Sequence, residues 1–235
     1  MPIKAKDVLS RARTILQDAG STRWLLSELC DWLDDALREV SFYKPTALSD
    51  TIVMPLAAGT YQELPEGQQL LRAHRNITSD VGVMPRISGP AVTPIVREIL
   101  DAQLPDWHDT TFMPFSATAR HVISDTMNPR SFYVFPGNNG TGKIEITVSL
   151  QPEPLARPND INDIGGYTAD IPINPIYMGP LVDFVLYRAF SKDMQFAGAG
   201  ERAVAHYTNF QNALNLRQQI EAMGNLNTSQ TQPNS

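Results

Sequence analysis

Cysteine is what this 235-residue sequence has least of, with Cys30 alone. A lone cysteine closes no intrachain disulfide, and inside a helical pattern it reads as a small buried thiol, so nothing points to an oxidising compartment. Surplus positive charge is also missing. Nineteen Lys and Arg stand against 25 Asp and Glu, and the net charge of -6 offers no basic field to nucleic acid or to an anionic membrane. No apolar run reaches the ~18 residues of a membrane span. The stretch 51–61 is broken by Pro55, and the opening MPIKAKDVLSRAR lacks the apolar core of a signal peptide. The chain is expected to be made and kept in a cytosol, where the sequons at Asn76, Asn139 and Asn227 carry no glycan.

Catalytic and metal motifs are equally scarce. His74, His108, His121 and His206 stand far apart, without the spacing of a metal site, and no nucleophile has a base nearby. No cofactor and no metal is implied. The run from Gly137 to Lys143 fits the start of a phosphate-binding loop, but Ile144 occupies the magnesium-binding position. The residues after it alternate as a strand, where such a loop needs a helix. Asp106-Trp107-His108-Asp109 is the most enzyme-like tetrad, and it follows Pro105 in a loop.

Proline is abundant but unevenly placed. Sixteen of the 18 prolines fall between Pro45 and Pro180, so the ends of the chain are the segments free to form long helices. The first is expected at about Lys4–Ala19, with Val8, Ala12, Ile15 and Ala19 inward and Gly20 as its stop. The second spans about Leu26–Tyr43, with Leu29, Leu33, Ala36, Leu37 and Val40 inward and Pro45 ending it. Trp24 and Trp32 read as packing residues. Asp31, Asp34, Asp35 and Glu39 read as a solvated face with an Asp35–Arg38 pair. Between the helical ends, Lys143–Leu150 alternates with the period of a half-buried strand. Further strands are expected at Ser131–Phe135, Ala119–Ser124, Asp50–Met54 and Gln69–Ile77, with residues 136–142 joining two of them as a hairpin and a short helix at Pro94–Gln103. The proline-rich stretch Gln151–Pro175 reads as an irregular return. All surplus negative charge lies in residues 45–180.

The stretch from Leu181 to Met223 reads as a helical hairpin turned at Gly198-Ala199-Gly200. Ala203, Tyr207, Phe210 and Leu214 fall on one face of its second helix. Residues 224–235 are uncharged and polar and are expected to be flexible alone. The fold class that follows is α+β: a helical bundle of residues 1–44 and 176–223, an inserted antiparallel β-sandwich or barrel-like lobe at 45–175, and a tail at 224–235.

Val182–Asp193, Phe196–Gly198 and Arg202–Phe210 resemble the C-terminal helices of the head-to-tail adaptors of tailed bacteriophages, the connector family to which tail tubular protein A of short-tailed phages is related. Similar pieces occur in order at Val8–Arg13, Leu16–Asp18, Arg23-Trp24, Trp32–Ala36, Gly59–Pro65, Leu100–Gln103, Pro105–His108 and Asn128–Val134. Val81–Thr93 and Pro152–Asn174 lie outside the resemblance. It implies a virion structural protein of the neck, without catalysis, that binds the portal protein as a ring, usually of twelve copies. Tail tube or nozzle and tail fibre proteins would be its other partners, and DNA would pass its channel unbound. Arg217, Ile220, Met223, Leu226 and Gln230 are the residues placed at the portal interface by position. Two other classes stay open: a cytosolic enzyme using His108 or His121 in the β-rich lobe, and a monomeric carbohydrate- or peptide-binding module displaying Tyr61, Phe132 and Tyr133.

Overall fold

The structure is a computed structural model that describes residues 2–79, 87–125 and 127–223. Its class is α+β, with five helices among the described residues. In chain order the elements are β1 (Ile3–Lys4), α1 (Ala5–Leu16), α2 (Leu26–Tyr43), β2 (Ser49–Pro55), β3 (Gly59–Glu63), β4 (Gln68–Ser79) and β5 (Ile87–Ala91). There follow β6 (Thr93–Pro94), α3 (Arg97–Gln103), β7 (His121–Ser124), β8 (Ser131–Asn138), β9 (Lys143–Leu150), β10 (Asp170–Ile171), α4 (Met178–Lys192) and α5 (Ala199–Met223). The chain forms two compact units, one of residues up to 48 with those from 152 onward, the other of residues 49–151.

In the first unit a single hydrophobic cluster takes Val8, Leu9 and Ala12 from α1, Leu29, Leu33 and Leu37 from α2, Leu181, Val185 and Leu186 from α4, and Ala203, Phe210 and Leu214 from α5. Each fully buried leucine contributes about 1.5–3 kcal/mol. Helix α2 has the expected boundaries, and its five inward residues are all fully buried. Helix α1 departs from expectation. It stops at Gln17, which adopts a left-handed backbone at φ 57°, three residues before Gly20. Asp18 explains the early stop: its carboxylate accepts the amides of Thr22, Arg23 and Trp24 at 2.9–3.0 Å and so commits the chain to a loop. Within α1 the inward face is Ala5, Val8, Leu9, Ala12 and Leu16, which turns Ile15 outward at 50% exposed.

The division between units also departs from expectation. Leu155, Tyr167, Ile171 and Ile173 of the return segment belong to the helical core, not to the β-rich lobe. Proline keeps regular elements there short without forbidding burial of single apolar side chains. Strand β10 pairs antiparallel with β1, Ile3 opposite Ile171, and Lys4 Nζ meets Asp170 at 2.9 Å.

The second unit holds two four-stranded sheets, ordered β2-β9-β4-β5 and β3-β8-β7-β6. Pairing is antiparallel except between the short β6 and β7. One cluster draws Ala73, Ile144, Ile146 and Val148 from the first sheet and Val122, Phe132 and Val134 from the second. The expected β8–β9 hairpin does not form, because the two strands belong to different sheets. Asn138 makes the crossing. Fully buried, it accepts the amides of Gly140 and Gly142 and donates to the Ser116 and Ala117 carbonyls. A side chain on Gly142 would collide with the Ala117 carbonyl and the Asn138 amide. Pro94 pairs in β6, so α3 begins only at Arg97.

Gly142→Ala is expected to destabilise the chain by about 1–3 kcal/mol, the usual result of overpacking, read from urea denaturation. Although burial pushes the Asp18 carboxyl up, hydrogen bonds from Trp24, Thr22 and Arg23 outweigh it and hold the group at about 2. The stabilisation is therefore complete above the ordinary value near 3.8 and is lost as pH falls through about 2. Asp18→Ala should lower stability at pH 7 by about 1–3 kcal/mol and flatten the decline below pH 4, measured by thermal denaturation across pH.

Candidate partner-binding surface

Helix α2 carries the polar contacts that hold the helical unit together. Asp34, expected on a solvated face, is buried: Arg157 of the return segment donates to it at 2.7 Å and also to Asp31 at 2.7 Å. The other Asp34 oxygen accepts the Leu155 amide at 2.9 Å. An aspartate in a helical run of acids looks solvated until a distant arginine arrives, which is why the sequence pattern misplaces it. Asp35 and Arg38 do pair, at 3.2 Å, and Arg188 of α4 shares that carboxylate. Desolvation pushes the neighbouring Cys30 thiol up to about 12, which keeps it unreactive.

Helices α4 and α5 pack as an antiparallel pair around the positive-φ turn at Gly198. Phe184 meets Phe210, Tyr187 meets Tyr207, and Phe190 stacks on His206. Asp183 accepts a 2.8 Å hydrogen bond from His206 Nδ1, which ties the same two helices. Helix α5, at 25 residues, is longer than the 15-residue α4. Beyond Leu214 the described side chains turn outward, with Leu216 59% and Ile220 50% exposed. The last turn of α2 reaches the same helix. A hydrogen bond with Tyr43, aided by burial, raises the Tyr207 phenol to about 12. Beside Tyr43 stands Phe42, 79% exposed, and Ile176 just before α4 is exposed as well. This end of the unit therefore presents apolar and aromatic side chains to solvent, as partner surfaces do.

Of the five residues placed at an interface by position, Ile220 is on this exposed end of α5. Arg217 and Met223 lie in α5 with side chains outside the described residues, and Leu226 and Gln230 are outside the described residues altogether. Phe42 and Leu216 escaped sequence reasoning. Phe42 precedes the proline that stops α2, and a large aromatic at a helix end without a period partner was the available signal.

The β-rich unit shows where its own candidates stand. His108 Nδ1 meets the Thr60 hydroxyl at 2.7 Å, and His121 Nδ1 meets the Thr93 hydroxyl at 2.8 Å. Burial, then the Arg97 guanidinium, holds His108 below its ordinary value. Trp107 is buried and donates to Asp101 at 2.7 Å, a bond that lowers that carboxyl. The tetrad thus anchors the loop after α3. Phe132 is fully buried while its strand neighbour Tyr133 is half-buried against Tyr61, so the three rings do not share one exposed face. No group of three or more metal-ligating side chains occurs among the described residues, and no described helix is long and apolar enough to cross a membrane.

A comparison with protein families matches the model described as SU10 adaptor protein over residues 3–232. The chain belongs to the SU10 adaptor family. Membership makes it a phage head-to-tail adaptor, a structural protein of the virion neck. The match includes Val81–Thr93 and Pro152–Asn174, which the resemblance had left out. No curated protein matches the chain. In this adaptor, replacing Arg157 with Ala leaves Asp34 buried without its cation and should cost about 2–3 kcal/mol, whereas Asp35→Ala, at an exposed pair, should cost under about 1 kcal/mol. Chemical denaturation of both variants measures the difference.

Proposed function

We propose that this adaptor binds beneath the portal as a ring, of twelve copies by the resemblance, and forms the platform on which tail tube or nozzle and fibre proteins assemble. The observation that carries the proposal is the end of α5: a family member's last helix outruns its partner, bares Leu216 and Ile220, and leads into an uncharged polar segment. In this reading the helical ends form a bundle that meets the portal and neighbouring copies, and the two sheets form a sandwich that faces the tail. Arg217, Ile220, Met223, Leu226 and Gln230 are the portal-facing positions. The chain works without catalysis, is made in the host cytoplasm, and is kin to tail tubular protein A.

Charge supports the role of a conduit. A ring built from chains of net charge -6 sums to a negative field, which repels DNA instead of holding it. The uncharged segment 224–235 suits docking in which order is gained on contact, at the cost of the ordering entropy.

Purified chain is expected to sediment largely as monomer and to assemble as a ring only with the portal protein of the same virion. A chain that stays monomeric beside portal in electron microscopy and sedimentation overturns the proposal. Deleting residues 224–235 should weaken portal capture in a pull-down while leaving the helical circular dichroism unchanged. Undiminished capture removes the tail from the interface.

A further inference from the structure

We infer that the groove between α1 and α4 receives a second copy of this chain, which enters it with the loop around Ile161. The inference rests on the adaptor reading and names the contact that links neighbours in its ring. The groove measures about 460 Å³ and has Ile15, Val182 and Gly179 in its lining. Ile15 lies off the inward face of α1 and is 50% exposed. A side chain added at Gly179 would meet no atom within 4 Å, so the groove is open at that point. Its rim carries two charged groups. Asp183 is engaged by His206 at 2.8 Å, whereas Arg11 is exposed, with no ion-pair partner among the described residues. The site thus offers an apolar slot with one free cation.

The same chain displays the complement. Ile161 is 47% exposed between Asp160 and Asp163. Its loop is tied from several directions. The buried Tyr167 donates its hydroxyl to the Ile161 carbonyl at 2.9 Å, Asp160 accepts the Asn162 amide at 3.0 Å, and Asp163 accepts the Gly165 amide at 2.9 Å. Gly166 lies so close to Pro158 that an added side chain would meet its ring at 2.6 Å. An apolar side chain held on a tied loop between two carboxylates complements an apolar slot beside an arginine in polarity and in charge. Because knob and groove are different patches of one chain, their contact is head-to-tail and propagates from copy to copy, as a ring requires.

Cysteine cross-linking tests the contact on the full chain, since Cys30 is buried and its thiol unreactive. Ile15→Cys and Ile161→Cys chains are mixed in equal amounts with the portal protein of the same virion and oxidised mildly. The 15–161 bond is expected to dominate over 15–15 and 161–161 bonds. Adding Gly179→Leu to the first chain puts a side chain into the groove at a point where an added Cβ meets no atom within 4 Å, and should cut that bond about tenfold. Arg11→Asp should do the same, and Asp160→Arg with Asp163→Arg on the partner chain should restore it. Rings that assemble without the 15–161 bond, or with a bond indifferent to Gly179→Leu, overturn the contact and leave the adaptor reading standing. Cross-linking in a chain that portal does not recruit supports the contact and overturns portal binding. Neither recruitment nor cross-linking overturns both.

Discussion

The helical unit depends on one buried interaction, the double engagement of Asp34 by the Arg157 guanidinium and the Leu155 amide. The return segment from the β-rich unit contains little regular structure and cannot hold itself against the helices by ladder hydrogen bonds. Its apolar residues Leu155, Tyr167, Ile171 and Ile173 are spread among prolines and polar residues, and each buries separately. A charge-assisted contact at the segment's start sets its register on α2, and the β1–β10 pair sets it again near its end. Between these two points the loop of Ile161 is displayed.

A carboxylate buried in this way is an asset only while it is paired. Removing water from Asp34 costs free energy that Arg157 and the backbone amide must offset. Both partners lie more than a hundred residues away in sequence, so the contact reports that the whole unit has closed. Asp18 does related work at short range: its hydrogen bonds end α1 and shape the loop that delivers Trp24, whose indole donates to the Ala189 carbonyl of α4.

For an adaptor, the useful property is several unlike surfaces on one chain. The described part of this chain has them: an aromatic and apolar end where α2 and α5 terminate, an apolar groove with a free arginine, and an acidic loop. Unlike patches on one chain favour open or ring-like association over closed pairs. The histidines of the β-rich unit, which a search for chemistry would choose first, are bound to threonine hydroxyls, and Trp107 fills a small core of its own with Leu100, Ile123 and Phe135.

Much of this was written locally in the sequence. Helix α2, the α4–α5 hairpin and strand β9 follow from apolar period and from the absence of proline, because those patterns act through neighbours along the chain. The assignment of β8 and β9 to separate sheets did not follow, since a glycine-rich link reads the same whether it turns back or crosses over; the buried Asn138 side chain decided it. The exposure of Ile15, Phe42 and Ile161, and the burial of Asp34, were likewise settled only by tertiary structure. Periodicity ranks the faces of an element, but which face is covered depends on partners brought from far along the chain.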